Sequence, residues 1–294
     1  MNKIYIPFKI ENKMSEEVDR DMQKRNLAAL AKSPDGFKFS STFFPYTSGE
    51  IGPYYVQSAG MLADGQAYHQ ACEDMATLVR RVTELTDRED MVIKAIGSES
   101  ENIVISGGES RDWIFSFPVA QMLGLSHFMI YKDGKTLGAS VKDKRVIHIA
   151  DLNNEGSSPR DLWMPAIKKA GGNPTDIIFY VDRMEDGIKV MQELKLRSHS
   201  VIPLDEQAWS YLQEAKVITP EIYQALCQRM EDKDTWARKM LMSDAGLETL
   251  AALLASGKSR EKGQKILTVG YPDMKEETVK RLKTKFGPGI ERWL

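Results

Sequence analysis

The segment Arg145-Val-Ile-His-Ile-Ala-Asp151-Leu-Asn-Asn-Glu-Gly156-Ser157-Ser158-Pro159 joins an apolar strand pattern to a polar, glycine-containing loop and then to a helix start. Proline suits the first helical position and serine the cap before it, so Ser158 is expected to cap the helix that Pro159 opens. Backbone amides around Asn154, Glu155, Gly156, Ser157 and Ser158 would then face an anion, with the positive end of the helix dipole behind them. That geometry suits a phosphate. Asp151 falls where the strand ends. Ordinary strand-to-helix capping needs the same serine and proline, so from this segment alone both readings stand.

Two further loops would meet this one, because the crevice of an open parallel sheet lies beyond the carboxyl ends of its strands. One is Ser106–Asp112, carrying Arg111; the other is Tyr131–Lys135, carrying Lys132 and Lys135. Each residue also has a plainer reading. Lys132 and Lys135 suit an exposed turn around Gly134, and Arg111 with Asp112 suits the solvated start of a helix. Asp182 and Arg183 suit a surface pair or a helix cap. His148 alternates within a strand and reads as a core or crevice residue. The four histidines, His69, His127, His148 and His199, lack metal-ligand spacing, and Cys72 and Cys227 have no nearby partner, so no protein-built zinc site is expected. Ser256-Gly257-Lys258-Ser259 imitates the end of a Walker loop, but Ala252 stands for its first glycine and no strand precedes it.

The elements that would position these loops alternate between Glu101 and Leu204. Strands are read at Asn102–Ser106, His127–Tyr131, Arg145–Ala150, Ile177–Asp182 and Ser200–Leu204. Helices are read at Trp113–Leu123, Pro159–Ala170 and Gly187–Leu194. The pattern predicts an α/β fold with a parallel twisted sheet flanked by helices. Gln66–Ile96 has helical period, Phe37–Tyr55 reads as an irregular arm or a short hairpin, and the first 35 residues read as a helical lead-in. After Asp205 the texture is all helical. The expected organisation is an N-terminal lead-in and arm (1–46), an α/β domain (47–205) and a C-terminal helical extension (206–294). In the extension, Trp236, Leu241, Leu247, Leu250, Leu253 and Leu254 are expected to pack onto the sheet domain or bury a dimer face.

With 294 residues, 42% hydrophobic and 28% charged, the chain has a globular composition, and disorder and fibres are excluded. Its net charge of −2 gives no general basic field for nucleic acid or an anionic membrane. Two cysteines make no disulfide framework, and no secretory signal is read at the N-terminus, so the cytoplasm is the expected compartment. Trp113–Tyr131 lacks acidic and basic residues over a bilayer-spanning length, but Pro118 and Gly124 interrupt it; a helix, a turn and a strand are expected there.

Segments in the same order along the chain resemble the type I phosphoribosyltransferases, most of all orotate phosphoribosyltransferase. Ser48-Gly-Glu-Ile-Gly-Pro-Tyr-Tyr55 is similar to the family's hood motif before the sheet. Ser106-Gly-Gly-Glu-Ser-Arg-Asp112 stands at the family's pyrophosphate loop, with Arg111 at a phosphate-contacting position. Tyr131-Lys132-Asp-Gly-Lys135-Thr-Leu-Gly138 resembles the catalytic segment. Arg145–Ser158 resembles the strand and loop that bind phosphoribosyl pyrophosphate (PRPP), and Val181-Asp-Arg183-Met-Glu185-Asp-Gly187 resembles the Leu-Asp-Arg-x-Glu-x-Gly segment. The resemblance covers about residues 47–205.

The resemblance implies that a base nitrogen displaces Mg2+-bound pyrophosphate from the ribose C1. Lys132, Lys135 and Arg111 would stabilise the departing pyrophosphate, Asp151 would face the ribose, and residues 154–158 would hold the 5-phosphate. Arg183 would contact the acidic base. The implied partners are PRPP or a nucleoside monophosphate, with magnesium carried on PRPP and a homodimer as the assembly. Departures from the family pattern fall on chemistry: Ala150 replaces one of two adjacent acids, Asn154 a threonine, Tyr131 an arginine, Leu137 a histidine, Ile51 a lysine and Gly52 a serine. Gly138–Arg145 leaves little room for a mobile flap. A catalytically degenerate, nucleotide-binding sensor on the same fold is therefore the alternative reading. A third is another glycosyl-transfer or nucleotide-hydrolysing chemistry that uses Asp151, Glu155 or Asn154.

Overall fold

The computed structural model describes residues 18–83 and 102–293. Helix α1 (Arg20–Lys32) opens at Asp19, whose carboxylate accepts the amide of Met22 at 3.0 Å and so satisfies one of the free donors of the first turn. The aromatic stretch after it is a hairpin. Strand β1 (Phe37–Pro45) pairs antiparallel with β2 (Ile51–Val56), with a bulge between Phe39 and Phe44. A tight helical turn at Ser58–Ala63 leads into α2 (Gly65–Thr83). The expected continuation of α2 over residues 84–96 lies outside the described residues, as do residues 1–17 of the helical lead-in.

The main sheet is built from β3 (Ile103–Gly108), β4 (Ser126–Ile130), β5 (Thr136–Gly138), β6 (Arg145–Asn153), β7 (Asn173–Asp182) and β8 (Arg197–Pro203) in the order β5-β4-β3-β6-β7-β8. All neighbours are parallel except β4 and β5. Between them lie α3 (Asp112–Met122), α4 (Met164–Lys169) and α5 (Gly187–Glu193). The strands and helices expected between Glu101 and Leu204 are all present. Strand β5 was not foreseen: the chain reverses at Gly134, where φ is +80°, and the amide of Tyr131 bonds the Lys135 carbonyl at 2.8 Å. Trp113–Tyr131 divides into most of α3 and β4, and no helix among the described residues is long and apolar enough to cross a membrane.

Strands β6 and β7 are apolar almost throughout because both of their faces are covered. Ile147, Ile149, Ile178 and Tyr180 pack towards α2 and α3, while Val146, Ala150, Ile177 and Phe179 pack towards α4 and α5. Buried polar side chains sit at the strand ends. Asp176, fully buried near the start of β7, collects Arg145, Arg197 and His199. Asp151, Asn153 and Asp182 lie at the opposite, carboxyl ends.

The C-terminal region is helical, as expected: α6 (Glu206–Glu214), α7 (Pro220–Glu231), α8 (Lys233–Met242), α9 (Asp244–Ala255), α10 (Arg260–Lys265) and α11 (Lys275–Phe286). Asp205 caps α6, and Thr219 caps α7 with Pro220 at its first position. The region divides its packing. Trp209, Leu212 and Leu226 join the sheet core, whereas Trp236, Leu241, Leu250 and Leu254 form a separate core with Phe43 and Ile51 of the hairpin.

Candidate functional site

A cleft of about 370 Å³ opens at the carboxyl ends of β3 and β6. The loop between β3 and α3, residues 153–158 and Lys132 line it, so the loops expected to converge do converge. Arg111, Lys132, Asp151, Asn154, Glu155, Gly156, Ser157 and Ser158 all border this cleft.

The loop after β6 owes its path to Gly156. Its φ of +70° is the left-handed region, and a Cβ there would come within 2.7 Å of the Val190 Cβ on α5. The loop therefore lies directly on α5, and the amide of Gly187 donates to the Asn154 carbonyl at 2.9 Å. The helical backbone starts at Ser157, earlier than expected, and runs to Lys169 through a wide turn at Pro159–Trp163. Ser158 already has helical angles and its side chain makes no capping bond, which corrects the cap assignment. The left-handed turn at Gly156, rather than a serine hydroxyl, ends the loop.

The acidic part of the cleft is a pair that adjacency in sequence does not reveal. Asp112, at the start of α3, is 3% exposed and accepts the amide of Asp151 on Oδ1 and the amide of Gly108 on Oδ2, both at 3.0 Å. It ties the ends of β3 and β6 together. Asp151 accepts the Ser58 hydroxyl at 2.8 Å, and Arg111 Nε stands 3.5 Å from the same Oδ2. Burial, then the neighbouring Asp112 charge, pushes the Asp151 carboxyl up to about 7, and burial raises Asp112 to about 7 as well. Behind the pair, His148 is fully buried, stacks on Trp163 with ring centroids 4.4 Å apart, and shares a hydrogen bond with the Ser106 hydroxyl through Nδ1 at 2.9 Å. Its Nε2 lies 3.8 Å from Asp112 Oδ2 with no hydrogen-bond partner, and burial lowers its pKa to about 3, so the imidazole is neutral.

Two predicted residues lie elsewhere. Lys135 sits on the exposed turn before β5, outside the cleft lining, as its structural reading anticipated. Arg183 is 6% exposed and turned into the seam between the sheet and α7. Its Nε donates to the Tyr54 hydroxyl at 2.8 Å and its guanidinium stands 4.2 Å from the centre of the Tyr46 ring. Glu185 bridges it to Arg229 of α7, which also donates to the Ile51 carbonyl at 2.8 Å. Arg183 is thus not a surface residue and does not line the cleft at the ends of β3 and β6: a buried ion cluster holds it beside a second cavity of about 480 Å³ at the seam with α7. Asp182 is likewise buried, accepting the Met184 amide at 2.8 Å rather than capping α5.

Asp112 and Ser58 were not among the site residues expected from the sequence, and His148 was expected only as a core or crevice residue. Asp112 was read as a solvated helix start. The available signal was register: a parallel pair that sets Ser106 opposite His148 brings the loop after Gly108 over the end of β6.

No protein-family model matches the chain, and no curated protein matches it by sequence. Solved structures do match in fold. UMP synthase of Leishmania donovani superposes with a TM-score of 0.58 at 16% identity, over 71% of this chain and 42% of that one. Orotate phosphoribosyltransferase of Francisella tularensis gives a TM-score of 0.52 at 16% identity, over 70% of this chain and 96% of that one. The chain thus has the type I phosphoribosyltransferase fold. Within that fold its architecture is similar to that of orotate phosphoribosyltransferases, while it spans less than half the length of the UMP synthase.

Proposed function

We propose that the chain binds a ribose phosphate ligand, PRPP or a nucleoside 5-monophosphate, in the cleft at the ends of β3 and β6. Residues 154–158, at the start of a helical run, would receive the 5-phosphate, with Asp151 beside the ribose and Arg111 and Lys132 beside a pyrophosphate. The observation that carries this reading is the convergence of these loops on one cleft of a size suited to a small ligand. Transfer of phosphoribosyl to an orotate-like base, with pyrophosphate release, is the activity assigned to the cleft.

Magnesium fits this donor set as a passenger on the ligand. Among the described residues no group of three or more His, Cys, Asp or Glu side chains could hold a metal. The lining sets Glu109, Asp112, Asp151 and Glu155 against Arg111 and Lys132, so a bare pyrophosphate meets a surplus of acids. Bound magnesium would neutralise part of the pyrophosphate charge. A homodimer belongs to the same proposal and is checked by analytical ultracentrifugation.

A second reading, nucleotide binding without turnover, draws on Arg183. Held by Tyr54, Glu185 and the Arg229 cluster, its guanidinium is not presented to the cleft. Incubation with PRPP, magnesium and orotate separates the readings. Pyrophosphate release supports transfer, binding without release supports the sensor, and release of base from a nucleotide without pyrophosphate supports hydrolysis.

A further inference from the structure

The relation between Asp112 and Asp151 goes beyond simple ligand contact. Both oxygens of Asp112 accept backbone amides and the side chain is almost wholly buried, so Asp112 lies in the cleft wall next to Asp151 with both oxygens already bonded. Asp151 faces the cleft with its Oδ2 on Ser58. Charged and titratable groups approach the pair from several sides: Arg111 from the start of α3, His148 from β6, and Glu109, Lys132 and Glu155 across the cleft. Arg111 is more than half exposed, which screens its charge, and one guanidinium does not balance two buried carboxylates. The buried, unpartnered Nε2 of His148 points at the pair from a distance too long for a hydrogen bond, and its ring stacks on Trp163 of the cleft wall.

We propose that Asp112 is a positioning residue that holds Asp151 at the cleft wall and shares one proton with it, so that an anionic sugar phosphate binds together with a proton. The inference rests on the cleft being a ribose phosphate site and adds how the site tolerates an anion beside its own acids. An incoming phosphate makes ionisation of the pair costlier, and the pair takes a proton from solvent in response. The upward shift of both carboxyls, caused first by burial, places this exchange near neutral pH.

The test is titration calorimetry of the full chain with ribose 5-phosphate, without magnesium, at about pH 7.5 in two buffers of unlike ionisation heat. The probe's phosphate is almost fully ionised there, since its second pKa is about 6, so proton uptake reports the protein. Wild type is expected to take up roughly half a proton per ligand bound, and Asp112→Asn and Asp151→Asn to lose that uptake. Asp151→Asn keeps an acceptor for Ser58 and serves even if Asp112→Asn fails to fold. Binding by wild type with no proton uptake, or unchanged uptake in Asp151→Asn, overturns the inference and leaves the cleft assignment standing. Failure of wild type to bind ribose 5-phosphate overturns the cleft assignment and the inference with it.

Discussion

Asp112 accepts the backbone amide of Asp151 at 3.0 Å, joining the start of a helix to the end of a strand far away in the chain. Through this bond the acidic wall of the cleft is part of the scaffold. Its two carboxyls, both raised to about 7, also couple folding to pH.

The sign follows from the raised folded-state values. A carboxyl whose pKa is higher when folded contributes stability that is complete below its unfolded value, about 4, and is lost as pH rises through about 7. Burial lowers His148 to about 3 and His127 to about 4, and these neutral imidazoles contribute stability that grows as pH rises to about 6.5. Wild type is therefore expected to lose stability only between about pH 6.5 and pH 8, and Asp151→Asn to show a shallower decline. Urea denaturation across that range checks the slope. A wild-type stability that rises steadily to pH 8 would contradict the account.

The opposite sign holds at Asp176, where hydrogen bonds from His199, Arg197, Arg145 and Thr175 outweigh burial and hold the carboxyl well below the usual range. Its contribution is present above about pH 4 and is lost as pH falls further. Asp176→Asn is expected to destabilise the fold at pH 7 and to flatten the acid limb of the stability curve. Thermal melts from about pH 2 to pH 7 provide the comparison.

Arg229→Ala tests the seam between α7 and the sheet. Removing one partner of a buried ion cluster costs roughly 3–5 kcal/mol, while the cleft lies elsewhere, so ribose phosphate affinity is expected to change less than threefold. Denaturation midpoints and calorimetry on the same preparation report the two effects separately.

Gly156→Ala forces a side chain into the left-handed region and against Val190. The left-handed conformation alone costs about 1–2 kcal/mol, and the loop must shift off α5. Phosphate-ligand affinity is expected to fall at least tenfold, about 1.4 kcal/mol, with a smaller fall in melting temperature.

The alternating order of strands and helices was legible because β6 and β7 carry long apolar runs between polar loops, a pattern that helices on both faces make stable. Residues 153–158 were legible for the same local reason. Strand β5 was hidden because Thr136–Gly138 is too short to show a period, and a Lys-Asp-Gly-Lys turn suits any exposed loop. Asp112 was hidden because its partners come from other strands: a charged residue in the first helical turn is expected in solvent until register brings Asp151 over it. Arg183 was misplaced because its cluster depends on Arg229, far along the chain, and on aromatic residues of the hairpin.

The most direct measurement is calorimetric titration of PRPP into wild type and Asp151→Ala, each with and without magnesium. Wild type is expected to bind PRPP with micromolar affinity, strengthened by magnesium, and Asp151→Ala to lose tenfold or more, about 1.4 kcal/mol. Absence of PRPP binding to either protein, or equal affinity in both, would contradict the assignment of the cleft at the ends of β3 and β6.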